Sequence, residues 1–126
     1  MKIALCIELR NAEQFANRIR SLFNKDERIA IDELWNKKQL VQAVQRSRYN
    51  VVVIALSGAR GLEAVIQVRK LMPETPLVWC SDDEGFALIA YHLRASAFLT
   101  IDCSDQELYE AMKNWRDQNA NCIMQL

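Results

Sequence analysis

The chain has 126 residues, 51% of them hydrophobic and 25% charged, and its 16 basic and 16 acidic side chains give a formal net charge of zero. That length suits one domain with an adequate core. The neutral balance offers no general field for nucleic acid or an anionic membrane surface, and no stretch approaches the roughly 20 apolar residues that span a bilayer.

In chain order, Ile3-Ala4-Leu5-Cys6-Ile7 is a continuous apolar run, which predicts a strand covered on both faces. The opening MKIALCIEL lacks the longer apolar region and cleavage site of a signal peptide. Asn11 is suited to cap a first helix with Phe15, Ile19, Leu22 and Phe23 on one face. Residues 29–31 predict a short second strand. Asn36 is suited to cap a second helix with Leu40, Val41 and Val44 inward. Three valines and an isoleucine at 51–54 favour the extended form and predict a third strand. Leu62, Val65 and Ile66 mark a third helix that ends before Pro73. Residues 76–80 predict a fourth strand, and Phe86, Leu88, Ile89 and Leu93 a fourth helix. Residues 97–101 predict a fifth strand. Ser104 and Glu107 form a capping box ahead of Leu108, Ala111, Met112 and Trp115.

Five apolar strands alternating with five amphipathic helices predict an α/β domain: a parallel sheet with helices on both faces and right-handed crossovers. The domain is expected over residues 1–117, with 118–126 as a tail or the start of a linker. Such sheets carry their functional groups at the carboxyl ends of the strands. That rule singles out Glu8, Ala55, Leu56, Ser81 and Ile101.

Motifs for catalysis or metal binding are absent. The four cysteines lie far apart with no CxxC pair, and there is one histidine, which points away from a metal site and towards reduced thiols in the cytoplasm. Cys6 and Cys80 read as small core residues, while Cys103 and Cys122 read as more accessible. His92 reads as a partly exposed helix residue, for it has no evident nucleophile or carboxylate partner. The turn Leu56-Ser57-Gly58-Ala59-Arg60-Gly61 is neither a dinucleotide fingerprint nor a phosphate loop, and its glycines read as turn residues. Asp82-Asp83-Glu84 reads as the first turn of the fourth helix, where negative charge suits the dipole. The pairs Arg46/Arg48 and Arg69/Lys70 read as complements to helix C-termini. Trp79 reads as core, and Trp35 as core or staple packing ahead of a surface role.

Three stretches carry a family resemblance. Lys2-Ile3-Ala4-Leu5-Cys6-Ile7-Glu8, Tyr49-Asn50-Val51-Val52-Val53-Ile54-Ala55-Leu56 with Gly61-Leu62-Glu63, and the segment from Phe86 through Asp102 follow one another in the order and spacing of a known domain. The chain resembles the receiver domain of bacterial two-component response regulators over residues 1–117. Within that group it looks most like the receivers that precede a LytTR-type DNA-binding domain. The resemblance implies a flavodoxin-like (βα)5 fold with strand order 2-1-3-4-5.

It also implies where a phosphorylation pocket would lie, and that this pocket is degenerate. Ile7 and Glu8 match the two acidic positions, Ala55 the phosphoryl acceptor, Ser81 the hydroxyl and Ile101 the lysine, with Asp102 in place of the following proline. Phe98 matches the switch aromatic, and Tyr91, Phe98 and Trp115 lie on the elements of the family's usual dimer face. Phosphoryl transfer to a carboxylate needs a nucleophilic oxygen, a cation and donors for the phosphoryl oxygens. Ala55 and Ile101 remove the first and the last. Glu8 alone is a poor remnant for magnesium and reads as a solvated acid; Ser81 reads as a cap on the following turn. The expectation is a non-enzymatic pseudo-receiver without metal or cofactor. It would act through a homodimer or protein partner on the helix 4, strand 5 and helix 5 face, and would touch DNA only through a further domain outside this chain, with no membrane role. The alternative is a small-molecule sensor using the altered pocket.

Overall fold

The computed structural model describes residues 1–23 and 28–121, without the side chains of 9, 10 and 114–121. Ten main elements alternate: β1 (Lys2–Ile7), α1 (Leu9–Ser21), β2 (Ala30–Leu34), α2 (Lys37–Arg46), β3 (Val51–Ala55), α3 (Gly58–Leu71), β4 (Leu77–Ser81), α4 (Ala87–His92), β5 (Ala97–Thr100) and α5 (Asp105–Asn121). A single 3-10 turn, Glu84–Phe86, leads into α4. All strands are parallel, and their spatial order is β2-β1-β3-β4-β5. This is the flavodoxin-like (βα)5 architecture expected from the sequence.

The two-sided burial of the strands explains their unbroken apolar runs. Ile3, Leu5, Ile7, Val51, Val53 and Cys80 face one layer, built by Phe15 and Ile19 of α1 and by Leu108 and Met112 of α5. Ala4, Cys6, Val52, Ile54 and Trp79 face the other, built by Leu40, Val65, Val68 and Ala90 of α2, α3 and α4. Alternate side chains of a strand point to opposite faces, so each strand serves both layers. On the second layer Trp79 stacks on Phe86 at 5.5 Å and meets Phe98 edge-on at 5.3 Å.

Several boundaries differ from expectation, each for a local reason. The helix α1 turns directly off β1: Glu8 is its N-cap, and the Asn11 amide donates to the Glu8 carbonyl, so Asn11 lies inside the first turn. The strand β2 runs on to Leu34, because an edge strand accommodates Asp32 and Glu33. The helix α3 begins at Gly58, whose φ of +58° is one that few other residues adopt. Gly61 is therefore not a turn residue. A Cβ on it would lie 2.4 Å from the Leu56 carbonyl oxygen and 3.2 Å from Trp79 Nε1, so this glycine permits close packing of α3 on the sheet. The strand β5 stops at Thr100, leaving Ile101 in a turn. The helix α5 continues to Asn121, beyond the expected start of the tail at 118. Asn36 and the Ser104–Glu107 box cap α2 and α5 as expected.

Arg69 has a larger role than charge at a helix end. It is only 8% exposed. Its guanidinium donates to the carbonyls of Met72, Pro73 and Thr75 beyond its own helix, and to those of Leu93 and Arg94 before β5. Burial pulls its pKa below the usual guanidinium value, and the neighbouring Arg94 adds to that. Arg94 has a φ of +57°, which aims its carbonyl into this cluster at some conformational cost.

Candidate functional site

The carboxyl ends of β1, β3 and β4 meet at one edge of the sheet. Ile7 pairs with Ala55 in the β1–β3 register, and both are buried in the α1/α5 layer. Ser81 pairs with Thr100, and the Ile101 amide donates to the Ser81 carbonyl at 2.8 Å. The backbone thus brings the five positions to one end of the sheet. Their side chains, however, do not share a polar pocket. Ile7 and Ala55 are packed core, and Ile101 is exposed.

The polar groups that remain face one another across the β3–α3 turn. Glu8 is not a solvated acid. Its side chain is 13% exposed, and its Oε1 accepts from the Ser57 amide and from Arg60, both at 2.9 Å. Asp82 is not in the first turn of a fourth helix. It reaches across from the β4–α4 loop, and its Oδ1 accepts from the Gly58 amide at 2.9 Å. Two carboxylates from different loops therefore satisfy successive amides where α3 begins, amides that no helical carbonyl can reach. Ser81 is fully buried; its Oγ accepts from the Asp83 amide at 3.1 Å, and Asp83 in turn caps Gly85.

These contacts decide whether the residues fit a magnesium ion. Magnesium requires several oxygens in near-octahedral array, usually with one or two carboxylates. Glu8 carries the only carboxylate at the end of β1, and Arg60 already neutralises it. Asp82 is held at the α3 amide. Among the described residues no three of His, Cys, Asp and Glu gather as a metal site. The residues do not fit the ion.

Other candidate residues fall elsewhere. Cys103 is buried, contrary to the expectation of an accessible loop thiol, because its loop is tied to α1 by Arg18, which bonds its carbonyl and Asp105. Burial pushes the Cys6 and Cys80 thiols up to about 12 and raises that of Cys103, so all three are poor thiolates at neutral pH. Cys122 lies outside the described residues. Trp35 is 44% exposed rather than packed. Phe98 is half-buried against Trp79. Tyr91 is 77% exposed and Leu88 68% exposed, since α4 is so short that only Ala90 faces inward. The Trp115 side chain lies outside the described residues.

Among the described residues, three grooves stand out on the surface, and Ile7, Ala55 and Ser81 line none of these three. The first lies at the amino ends of the strands, among Arg46, Tyr49, Met72 and Glu74. The third lies beside Met1, Arg28 and Asn50. The second, of about 370 Å³, lies between α2 and α3 at the carboxyl end, beside Trp35, Leu56 and Arg60. Sequence reasoning pointed to the first turn of α3 but missed Arg60 and Asp82. An acid in one loop and a helix start in another form a signal only once the two loops are folded against each other.

No protein-family model matches the chain, and no curated protein sequence matches it. The fold is nevertheless shared with solved receiver structures. The response regulator TrrA from Thermotoga maritima, solved in complex with Mg(2+)-BeF, superposes with a TM-score of 0.75 at 17% identity, covering 90% of this chain and 97% of that one. The receiver domain of the Francisella response regulator 1452 gives 0.75 at 19% identity, over 94% and 98%. A LuxR-family DNA-binding response regulator from Staphylococcus aureus gives 0.73 at 17% identity, over 91% and 98%. At these identities the likeness is one of fold.

Proposed function

We propose that this chain is a two-component-type pseudo-receiver, a signalling module that accepts no phosphoryl group and works through protein contacts. One observation carries the reading: Ala55, at the acceptor position, is buried against Ile7, while Glu8 and Asp82 are committed to the first amides of α3. A nucleophile, a cation site and a phosphoryl clamp would all have to be rebuilt. The surface for partners is the face of α4 and β5, where Leu88 and Tyr91 present apolar side chains to solvent and Ile101 lies at the adjoining turn. Transcriptional output would reside in a DNA-binding domain outside this chain. The sequence likeness suggests a LytTR-type domain, and a LuxR-family DNA-binding regulator shares the fold. The working compartment is the cytoplasm.

Incubation with acetyl phosphate and magnesium, followed by intact mass, is expected to show no adduct. Ala55→Asp is expected to stay unmodified too, since Ile7 and Ile101 persist. A stoichiometric adduct on the native chain would overturn the reading. For the partner face, Tyr91→Glu is expected to weaken self-association by roughly tenfold in sedimentation equilibrium, about 1.4 kcal/mol. An unchanged dissociation constant counts against that face.

A further inference from the structure

We infer that the groove between α2 and α3 is a binding site for a planar, ring-bearing anion of the nucleoside monophosphate class. Its position differs from that of the receiver pocket, whose core is packed shut.

The groove is built around Trp35. A large indole left 44% exposed is unusual beside Trp79, which is fully buried. The segment that presents it is firmly held. The Trp35 amide donates to Gln39 Oε1 at 2.8 Å, while the Gln39 amide donates to Asn36 Oδ1 at 2.9 Å. This reciprocal cap fixes the backbone under the ring, so little ordering is left for a ligand to impose. Leu56, almost fully buried in the core, closes the floor of the groove. An exposed indole above that floor offers one face for a flat ring to stack on.

Charge selects among flat rings. Lys37, Lys38 and Arg60 line the groove against the single acid Glu63, and Glu8 offsets part of the charge on Arg60 from beneath. Among the described residues neither lysine has an ion-pair partner. Arg60 gives one nitrogen to Glu8 and has a side chain 65% exposed, which leaves its remaining donors for an oxyanion. A ring alone would leave the cations unanswered, and a bare phosphate would leave the indole uncovered. The volume of about 370 Å³ lies within the range of small-molecule clefts, roughly 300–1,000 Å³.

The same arginine gives the groove a connection to the sheet edge. An anion that draws Arg60 away from Glu8 alters the carboxylate that holds the Ser57 amide at the start of α3. Occupancy and the geometry of the β3–α3 turn are then coupled, as a sensor requires.

Adenosine monophosphate, adenosine and inorganic phosphate titrated in parallel against the full chain, followed by two-dimensional NMR, test the assignment. The monophosphate is expected to bind saturably, and roughly tenfold or more tightly than either half. Trp35→Ala and the Lys37→Glu/Lys38→Glu pair are each expected to weaken it by roughly tenfold, with Trp35→Tyr restoring most of the affinity. These side chains are exposed, so thermal midpoints should hold and separate lost binding from lost folding. Absence of saturable binding, equal affinity for phosphate alone, or a Trp35→Ala variant that binds unchanged would each overturn the inference. It stands on the groove alone: a phosphoryl adduct would remove the pseudo-receiver reading and leave this site untouched.

Discussion

Arg69→Met is expected to lower the stability of the fold by about 3 kcal/mol, because methionine fills the space of the stem and leaves the carbonyls unserved. The guanidinium answers five carbonyl oxygens from two separate loops. A buried acceptor that loses its donor costs roughly 1–3 kcal/mol, and water entering the widened loops recovers part of the sum. In a domain of this size the midpoint of thermal unfolding should fall by roughly 10 °C. Arg69→Lys separates geometry from charge. An ammonium has three donors on one centre and cannot span both loops, so lysine is expected to recover less than half of the loss. Urea denaturation measures both variants, and a Met variant within about 0.5 kcal/mol of the native chain would show that the clamp is dispensable.

Gly61→Ala is expected to destabilise by about 2 kcal/mol, against the usual sign. Alanine in a helix interior normally gains about 1 kcal/mol over glycine. Here the added methyl meets the Leu56 carbonyl oxygen at 2.4 Å, and that oxygen belongs to the backbone at the end of β3. Trp79 Nε1, at 3.2 Å, closes the other side, and the indole is held between Phe86 and Phe98. Neither neighbour can yield without moving α3 off the sheet, and overpacking of this kind costs roughly 1–3 kcal/mol. A urea midpoint that rises in the alanine variant would show that α3 has room that the packing denies.

The parallel sheet and its two layers were legible because every central strand is apolar on both faces, whereas the strand order came from the family resemblance. Capping side chains were legible where the partner lies three residues away, as for Asn36 and Ser104. What escaped was set by distance along the chain. Arg69 looks like any charge near a helix end until the α4–β5 connection is folded against it. Glu8 looks solvated, and Asp82 looks like part of a fourth helix, until the start of α3 lies between them. Cys103 sits in a loop, yet α1 and α5 cover it. Leu88 and Ile89 have helical spacing, which suggests a buried face; a helix of six residues turns too little of itself inward to bury them.

The paired carboxylates at the start of α3 bear on how such a module can carry information. In a switch, the end of the helix is where an incoming charge is recorded and later erased. Here Glu8 and Asp82 supply that negative charge permanently, as part of the covalent chain. On the proposed reading the protein has no memory of a past stimulus and no reset step. Its message lies in what is bound to it, so a response fades as fast as the partner or groove ligand dissociates.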